Sequence, residues 1–186
     1  MAVTSSIGPG ATNMVTAAAL AHVNRLPVLL LPGDVFADRR PDPVLQQVED
    51  FSDGSVSAND CFRPVSRYFD RITRPEQVLK ALPKAMSVLT DAANCGPVCL
   101  SLCQDVQAES YSFPEDFFDD HIWDISRIRC DEHALSGAIK ALSTARRPVI
   151  IAGGGVRYSG AHDVLKTLAE NAGIPVAMTQ AGKSAL

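Results

Sequence analysis

A glycine turn near the start of the chain limits its fold more than any other feature. Residues 5–13, Ser-Ser-Ile-Gly-Pro-Gly-Ala-Thr-Asn, follow a short β-prone run and precede an alanine-rich segment without a helix breaker. The predicted local order is strand, glycine turn and helix. Gly8 and Gly10 permit backbone angles that other residues avoid, and Pro9 stiffens the turn. Such a turn can bring backbone N–H groups close to a ligand, but any strand–helix unit also needs a tight turn.

The rest of the chain alternates short apolar runs with helical patterns, which predicts an α/β fold with parallel strands. A buried helix is expected over residues 11–24, and a polar, irregular connection with one short helix, 44–51, over residues 35–59. Residues 75–89 are amphipathic, with Pro83 expected to kink the helix. In the second half, residues 134–142 are predicted to be helical, and Ser159 is expected to cap a further helix that Gly173 ends. The predicted strands are residues 28–31, which stop at Pro32-Gly33-Asp34, a short strand within 61–72, and residues 97–102, 149–152 and 174–178.

Composition excludes several classes of protein. Lys and Arg number 17 against 21 Asp and Glu, without a basic block, so nucleic-acid binding is not expected. No apolar run approaches the roughly 20 residues that span a bilayer, and no signal peptide is visible. The five cysteines form no Cys-x-x-Cys pair, which favours reduced thiols and a cytoplasmic protein. The period of two along a strand predicts that Cys99 and Cys103 are buried on one face.

Three charged or glycine-rich motifs allow two interpretations each. Arg63, Arg67 and Arg71 could bind a phosphate, or they could form a solvated edge paired with Asp60 and Asp70. The run Gly153-Gly154-Gly155 follows a predicted strand, but the third glycine of a dinucleotide fingerprint falls on Tyr158, so a plain strand-to-helix turn is favoured. The acidic cluster of residues 115–120 is predicted to be a solvated linker rather than a metal site.

The amino-acid sequences of several segments resemble those of one enzyme family. Thr-Ser-Ser-Ile-Gly-Pro-Gly-Ala-Thr-Asn at residues 4–13 resembles the pyrimidine-binding domain of thiamine-diphosphate enzymes of the acetolactate synthase type. Residues 96–107, which begin Gly-Pro-Val and end Asp-Val-Gln, and residues 147–176 resemble later segments of the same family in the same order. The resemblance implies an incomplete parallel-sheet pyrimidine-binding domain over residues 1–107, a linker over 108–131, and the start of a Rossmann-like central α/β domain over 132–186.

The resemblance also implies a cofactor site. Pro9 and Asn13, with Gly8 and Gly10 of the same turn, match positions near the aminopyrimidine ring of thiamine diphosphate. Gln46 matches a glutamine of the following loop, and Gln47 is an equal candidate. The family also uses a glutamate before the turn and a Gly-Asp-Gly motif that holds Mg²⁺; neither occurs in this chain. No catalytic residue or metal ligand is therefore assigned, and the chain is expected to be an internal fragment that is inactive when isolated.

Two segments indicate a branch of the family. Residues 33–40 and 59–70 differ from acetolactate synthases and resemble hydrolases that open a cyclic 1,2-dione during inositol breakdown. The implied substrate is a small cyclic dione, and the implied assembly is a homodimer or a higher homo-oligomer, without nucleic acid or membrane. Two alternatives stay open: an acetolactate synthase-like carboligase, and a non-catalytic α/β binding or assembly module.

Overall fold

The fold was analysed in a computed structural model that describes residues 1–41, 45, 46, 48 and 52–186. The chain divides into two compact units, Met1–Ile125 and Ser126–Leu186. The boundary between them falls within the connection expected from the sequence. The short helix predicted over residues 44–51 falls largely on positions outside the described residues, and so does Gln47.

The first unit is built on a parallel sheet of four strands: β1 (Ala2–Ser5), β2 (Leu29–Asp34), β3 (Tyr68–Ile72) and β4 (Val98–Cys103). Their order in the sheet is β1-β2-β4-β3. In register, Leu30 of β2 and Phe69 of β3 both lie beside Cys99 of β4. All four strands run the same way, so their carboxyl ends meet at one edge of the sheet.

Helices cover both faces of this sheet. On one face, α1 (Pro9–Thr12), α2 (Val15–Val23) and a 3-10 helix (Ala58–Val65) enclose a cluster of Ala11, Ala18, Leu30, Phe62 and Cys99. On the other face, α3 (Val78–Leu89) packs its Ala81 and Ala85 against Val98 and Leu100. Val98, Cys99 and Leu100 of β4 therefore pack alternately into the two clusters, because successive side chains of a strand lie on opposite faces of the sheet.

Two predictions for this unit need correction. The strand predicted to stop at Pro32-Gly33-Asp34 continues through these residues, because all three pair with residues of the neighbouring strands β1 and β4. The helix predicted to be buried is two helices, α1 and α2, and it is only partly buried, because Leu20 is 61% and Val23 74% exposed. Pro83 lies inside α3, which spans Val78–Leu89, and the kink expected there stays a prediction.

The second unit is smaller and contains one pair of parallel strands, β5 (Ile150–Ala152) and β6 (Val176–Met178). The helices are α4 (Glu132–Thr144), α5 (Gly155–Ser159) and α6 (His162–Ala172). The glycine run leads from β5 directly into α5, which confirms the plain strand-to-helix turn. Gly173 ends α6 with a left-handed φ of 62°, as predicted, but Ser159 is the last residue of α5 rather than a cap of α6. Within the described residues, no helix combines the length and apolarity that a membrane span needs.

Candidate functional site

A cavity of about 270 Å³ lies at the carboxyl ends of β1, β2 and β4. This edge of a parallel sheet is where α/β proteins commonly bind ligands. Three segments that are distant in sequence form the wall, because their strands are neighbours. The lining residues are Ser5, Ser6, Ile7, Gly33, Leu45, Gln46, Gln104 and Gln107.

The glycine turn borders this cavity through a tight contact with the connection that follows β2. Gly8 has φ 62° and ψ −119°, angles that match the first central position of a type II′ turn and favour glycine. A Cβ atom at Gly8 would lie 1.9 Å from the carbonyl oxygen of Gln46. Gln46 itself has a positive φ of 67°. The turn and the connection therefore interlock at this point, where their backbones leave no room for a side chain at residue 8.

The cavity brings together only part of the residue set that the resemblance implied. Gln46 lines it, and the buried Gly8 contacts the backbone of Gln46. Gly10 lies over Ser6, whose Oγ would be 2.5 Å from an added Cβ. Pro9 and Asn13 are exposed at the two ends of α1, outside the cavity lining.

Sequence reasoning did not single out Gly33, Gln104 or Gln107 as site residues. Gln104 directly follows β4, and Gly33 lies within the last two residues of β2. The Gln107 side-chain Nε2 donates to the carbonyl of Leu102 at 3.1 Å, which fixes the orientation of its amide. The positions of these three residues at or just after strand ends could have identified them from the sequence, because the carboxyl ends of neighbouring parallel strands meet at one edge of the sheet.

The groups that line the cavity are mostly polar and carry no charge. Its described lining consists of serine hydroxyls, glutamine amides, backbone groups and two apolar side chains, without an ionisable group. Such a lining can hydrogen-bond a neutral polar ring and orient it. It does not by itself supply a general acid or base. Among the described residues, no group of three or more His, Cys, Asp or Glu side chains is placed to hold a metal ion.

A buried polar network underlies the cavity. Asp34, the last residue of β2, is 1% exposed, and its carboxylate accepts from Ser101 Oγ at 2.5 Å and from Arg71 Nε at 2.7 Å. Its other oxygen accepts from the Val35 N–H at 2.8 Å. Asn59, also 1% exposed, donates from Nδ2 to Ser101 Oγ and to the carbonyl of Gly33 in the cavity wall. The network thus connects β2, β3 and β4 to Gly33 in the cavity wall.

Arg71 is the positive centre of this network. Besides Asp34, its guanidinium donates to Ser57 Oγ at 2.8 Å and to Asp60 Oδ2 at 3.0 Å. Burial alone would lower the pKa of Arg71, but the Asp34 and Asp60 carboxylates raise it above its usual value. Burial would likewise raise the pKa of Asp60, but hydrogen bonds from Ser57 N–H, Arg63 and Arg71 hold it below its usual range. Arg71 and Asp60 are therefore both charged at neutral pH.

The structure favours ion pairing over phosphate binding for two of the three arginines, Arg63 and Arg71. Arg63 pairs with Asp60 at 2.6 Å, as the solvated-edge interpretation predicted. Arg71 pairs with Asp60 as well, but its closest partner is the buried Asp34 rather than Asp70. Asp70 instead accepts from the Tyr68 hydroxyl at 2.9 Å, and burial together with this carboxylate raises the pKa of Tyr68 to about 12.

The buried thiols lead to a testable prediction. Cys99 and Cys103 are both buried, as predicted, but Cys103 ends its strand and packs with Val106 in the opposite cluster from Cys99. Burial, reinforced by the Asp34 carboxylate, raises the pKa of each thiol to about 12. At pH 8 both should resist a thiol reagent, while the exposed Cys61 and Cys130 label quickly. Mass spectrometry of labelled peptides measures this, with all five thiols reacting in urea; equal rates in the folded protein would contradict it.

Comparison with known proteins relates the second unit to an enzyme family. Residues 135–186 match the family model described as "Thiamine pyrophosphate enzyme, central domain". This part of the chain is therefore similar to that central domain.

Its relatives share one enzyme name. The chain is 54% identical over 185 residues to the 3D-(3,5/4)-trihydroxycyclohexane-1,2-dione hydrolase of Clostridium tetani. It is 52% and 53% identical over 186 residues to the proteins of the same name from Geobacillus thermodenitrificans and Bacillus cereus. Each match covers 100% of this chain and 29% of the relative, so the chain spans less than a third of the length of these proteins.

Proposed function

We propose that the protein carrying this chain is a thiamine-diphosphate-dependent hydrolase that opens the ring of a trihydroxycyclohexane-1,2-dione. The observation that carries this proposal is the similarity, at 52–54% identity along the whole chain, to hydrolases of that name. The sequence resemblance of residues 33–40 and 59–70 to the same branch supports it. These segments also contain Asp34 and Asp60, which the structure places in one buried network.

The cavity fits one end of the implied cofactor. An aminopyrimidine ring carries hydrogen-bond donors and acceptors on its edge, and the cavity offers glutamine amides, serine hydroxyls and backbone groups. We therefore assign the aminopyrimidine to this cavity. The resemblance to the family implies that the Mg²⁺ and the diphosphate are held by protein outside this chain.

The roles of the chain's own residues follow from their positions. When bound, thiamine diphosphate supplies a carbon nucleophile that adds to a carbonyl and stores the resulting negative charge. Gln46 orients the ring from the cavity rim, and Gly8 permits the close approach that puts Gln46 there. Pro9, Gly10 and Asn13 shape and end the turn beside the ring. Leu45 adds an apolar side chain to the cavity lining.

The larger organisation is part of the proposal. Residues 1–107 form part of a pyrimidine-binding domain, residues 108–131 a linker, and residues 132–186 the start of the central domain. The enzyme works as a homodimer or a higher homo-oligomer in the cytoplasm. In this arrangement the second side of the cofactor site comes from protein outside this chain.

Product analysis of the full-length protein tests the function. With thiamine diphosphate, Mg²⁺ and the trihydroxycyclohexane-1,2-dione, the expected product is an open-chain carboxylic acid with one added water. Pyruvate serves as the competing substrate. Formation of acetolactate from pyruvate, without ring opening of the dione, would replace this proposal with the carboligase. Absence of both reactions, together with absence of cofactor binding, would favour the non-catalytic module.

Substitution of Asn13 tests the cofactor assignment. Asn13 lies outside the cavity lining of this chain, and its polar contact with the cofactor is implied by the resemblance. In the full-length protein, Asn13→Ala should remove this contact, worth about 0.5–1.5 kcal/mol, and weaken thiamine diphosphate binding by roughly two- to twelvefold. Titration of the apoenzyme at fixed Mg²⁺ measures the affinity. Thr16→Ala, at an exposed position one turn further along in α2, is the matched control and should bind as the wild type does. Equal affinity of Asn13→Ala and the control would remove Asn13 from the site.

A further inference from the structure

We infer that Arg71 is a positioning residue for the cavity, because it fixes both ends of the connection that brings Gln46 to the cavity rim. The inference rests on the proposed function only for the identity of the ligand. The connection leaves β2 after Asp34 and ends at Ser57, before the 3-10 helix Ala58–Val65.

The start of the connection is held by two carboxylates. Asp34 accepts from the Val35 N–H at 2.8 Å. Asp105, beyond the end of β4, accepts from the Ala37 N–H at 2.9 Å and from the Asp38 N–H at 2.8 Å. Three of the first four backbone donors after β2 are therefore bound to acid side chains of the sheet edge.

The end of the connection is held by Arg71 directly. Its guanidinium donates to Ser57 Oγ at 2.8 Å and contacts the Ser55 carbonyl at 3.5 Å. Asp60, itself bound to Arg71, accepts from the Ser57 N–H at 2.8 Å. Because the same guanidinium also binds Asp34 at 2.7 Å, it joins the residue that starts the connection to the residues that end it.

Between these two anchors, the connection reaches the cavity. Leu45 and Gln46 line it, and Gln46 is interlocked with Gly8. The positive φ of Gln46 is a backbone conformation that its surroundings must enforce, since it is disfavoured for a residue with a side chain. Anchoring both ends of the connection supplies that constraint. Loss of Arg71 should therefore loosen the connection and displace Gln46, although Arg71 itself is not part of the cavity wall.

Arg63 provides a matched control. It also binds Asp60, and its guanidinium lies 4.3 Å from the centre of the Phe69 ring, which Arg71 approaches at 5.9 Å. However, the Arg63 side chain is 56% exposed, whereas that of Arg71 is 19% exposed. Its one ion-pair partner among the described residues is Asp60. Removing Arg63 thus deletes a similar side chain from the same neighbourhood while both anchors of the connection are retained.

The test compares Arg71→Met, Arg71→Lys and Arg63→Met with the wild type in the full-length protein. Hydrogen–deuterium exchange of peptides covering residues 35–41 and 52–60 reports on the anchors, and peptides of α3 report on the fold. Arg71→Met should accelerate exchange at both anchors by at least about tenfold, with α3 unchanged. Arg63→Met should leave the 35–41 peptides at the wild-type rate. Arg71→Lys keeps the charge but loses the forked geometry of the guanidinium, so its exchange rates should lie between those of Arg71→Met and Arg63→Met.

Ligand binding separates a positioning role from a merely structural one. Arg71→Lys, which is expected to fold even if Arg71→Met does not, should bind thiamine diphosphate at least about fivefold more weakly at an unchanged melting temperature. Wild-type exchange at both anchors in the Arg71 variants would overturn the inference, and so would faster exchange with unchanged affinity. If the wild type itself fails to bind thiamine diphosphate, the proposed function fails. The exchange rates then decide the inference alone: faster exchange at both anchors supports it, and wild-type exchange overturns it.

Discussion

Asp34→Ala is expected to destabilise the first unit by about 3–5 kcal/mol, a larger loss than we expect for any of the other variants. The change removes a fully buried carboxylate and leaves three donors without their acceptor: Arg71 Nε, Ser101 Oγ and the Val35 N–H. Arg71 keeps its pair with Asp60 but loses its closest counter-charge, so the desolvation of its guanidinium is less fully compensated. Urea denaturation of the chain, followed by the fluorescence of Trp123, its single tryptophan, measures the change.

The matched control for this prediction is Asp38→Ala. Asp38 also pairs with an arginine, Arg40, but both side chains lie at the surface, where solvent screens the interaction. The urea midpoint should therefore stay at the wild-type value. A midpoint for Asp34→Ala as high as that of the control would show that the buried network does not support the fold. Asp34→Asn, which keeps an acceptor oxygen, should lie between the two.

Gly8→Ala is expected to have the second-largest effect. The strained backbone angles should cost about 1–3 kcal/mol. The new Cβ would in addition collide with the Gln46 carbonyl, which is 1.9 Å from its ideal position. That neighbour is backbone rather than a mobile side-chain end, so it cannot rotate away, and the connection must move. We expect both a lower urea midpoint in this chain and weaker thiamine diphosphate binding in the full-length protein.

Two other glycines serve as comparisons for Gly8→Ala. At Gly10 the added Cβ would meet only the flexible Ser6 hydroxyl, so Gly10→Ala should cost less. At Gly137, in the interior of α4, nothing lies within 4 Å of the added atom, and alanine should stabilise the helix by up to about 1 kcal/mol. A Gly8→Ala protein as stable as the Gly137→Ala protein would mean that the interlock between the turn and the connection does not exist in solution.

The sequence allowed β2, β5 and β6 to be predicted because each contains a short, continuous apolar run bounded by turn residues. β3 contains Asp70 and Arg71 and was predicted only as a short strand within residues 61–72. The sequence also predicted the order of strand, glycine turn and helix at its start. It did not reveal the Asp34–Arg71 pair, since the two residues are 37 positions apart on strands that are not neighbours. Charges nearby in the sequence instead suggested Asp60 and Asp70 as the partners of Arg71. Pairing across a sheet depends on strand order, and the apolar pattern of the strands does not specify that order.

The order β1-β2-β4-β3 has a consequence for when the site can form during synthesis. β4 is made last of the four but lies between β2 and β3, so in the described sheet β3 has no strand to pair with until Val98–Cys103 exists. Ser101, which bridges Asp34 and Asn59 in the buried network, arrives with it. A nascent chain that has completed the glycine turn and the connection still lacks the strand that joins them to Arg71. The cavity therefore cannot be completed until β4, which lies between β2 and β3, has left the ribosome.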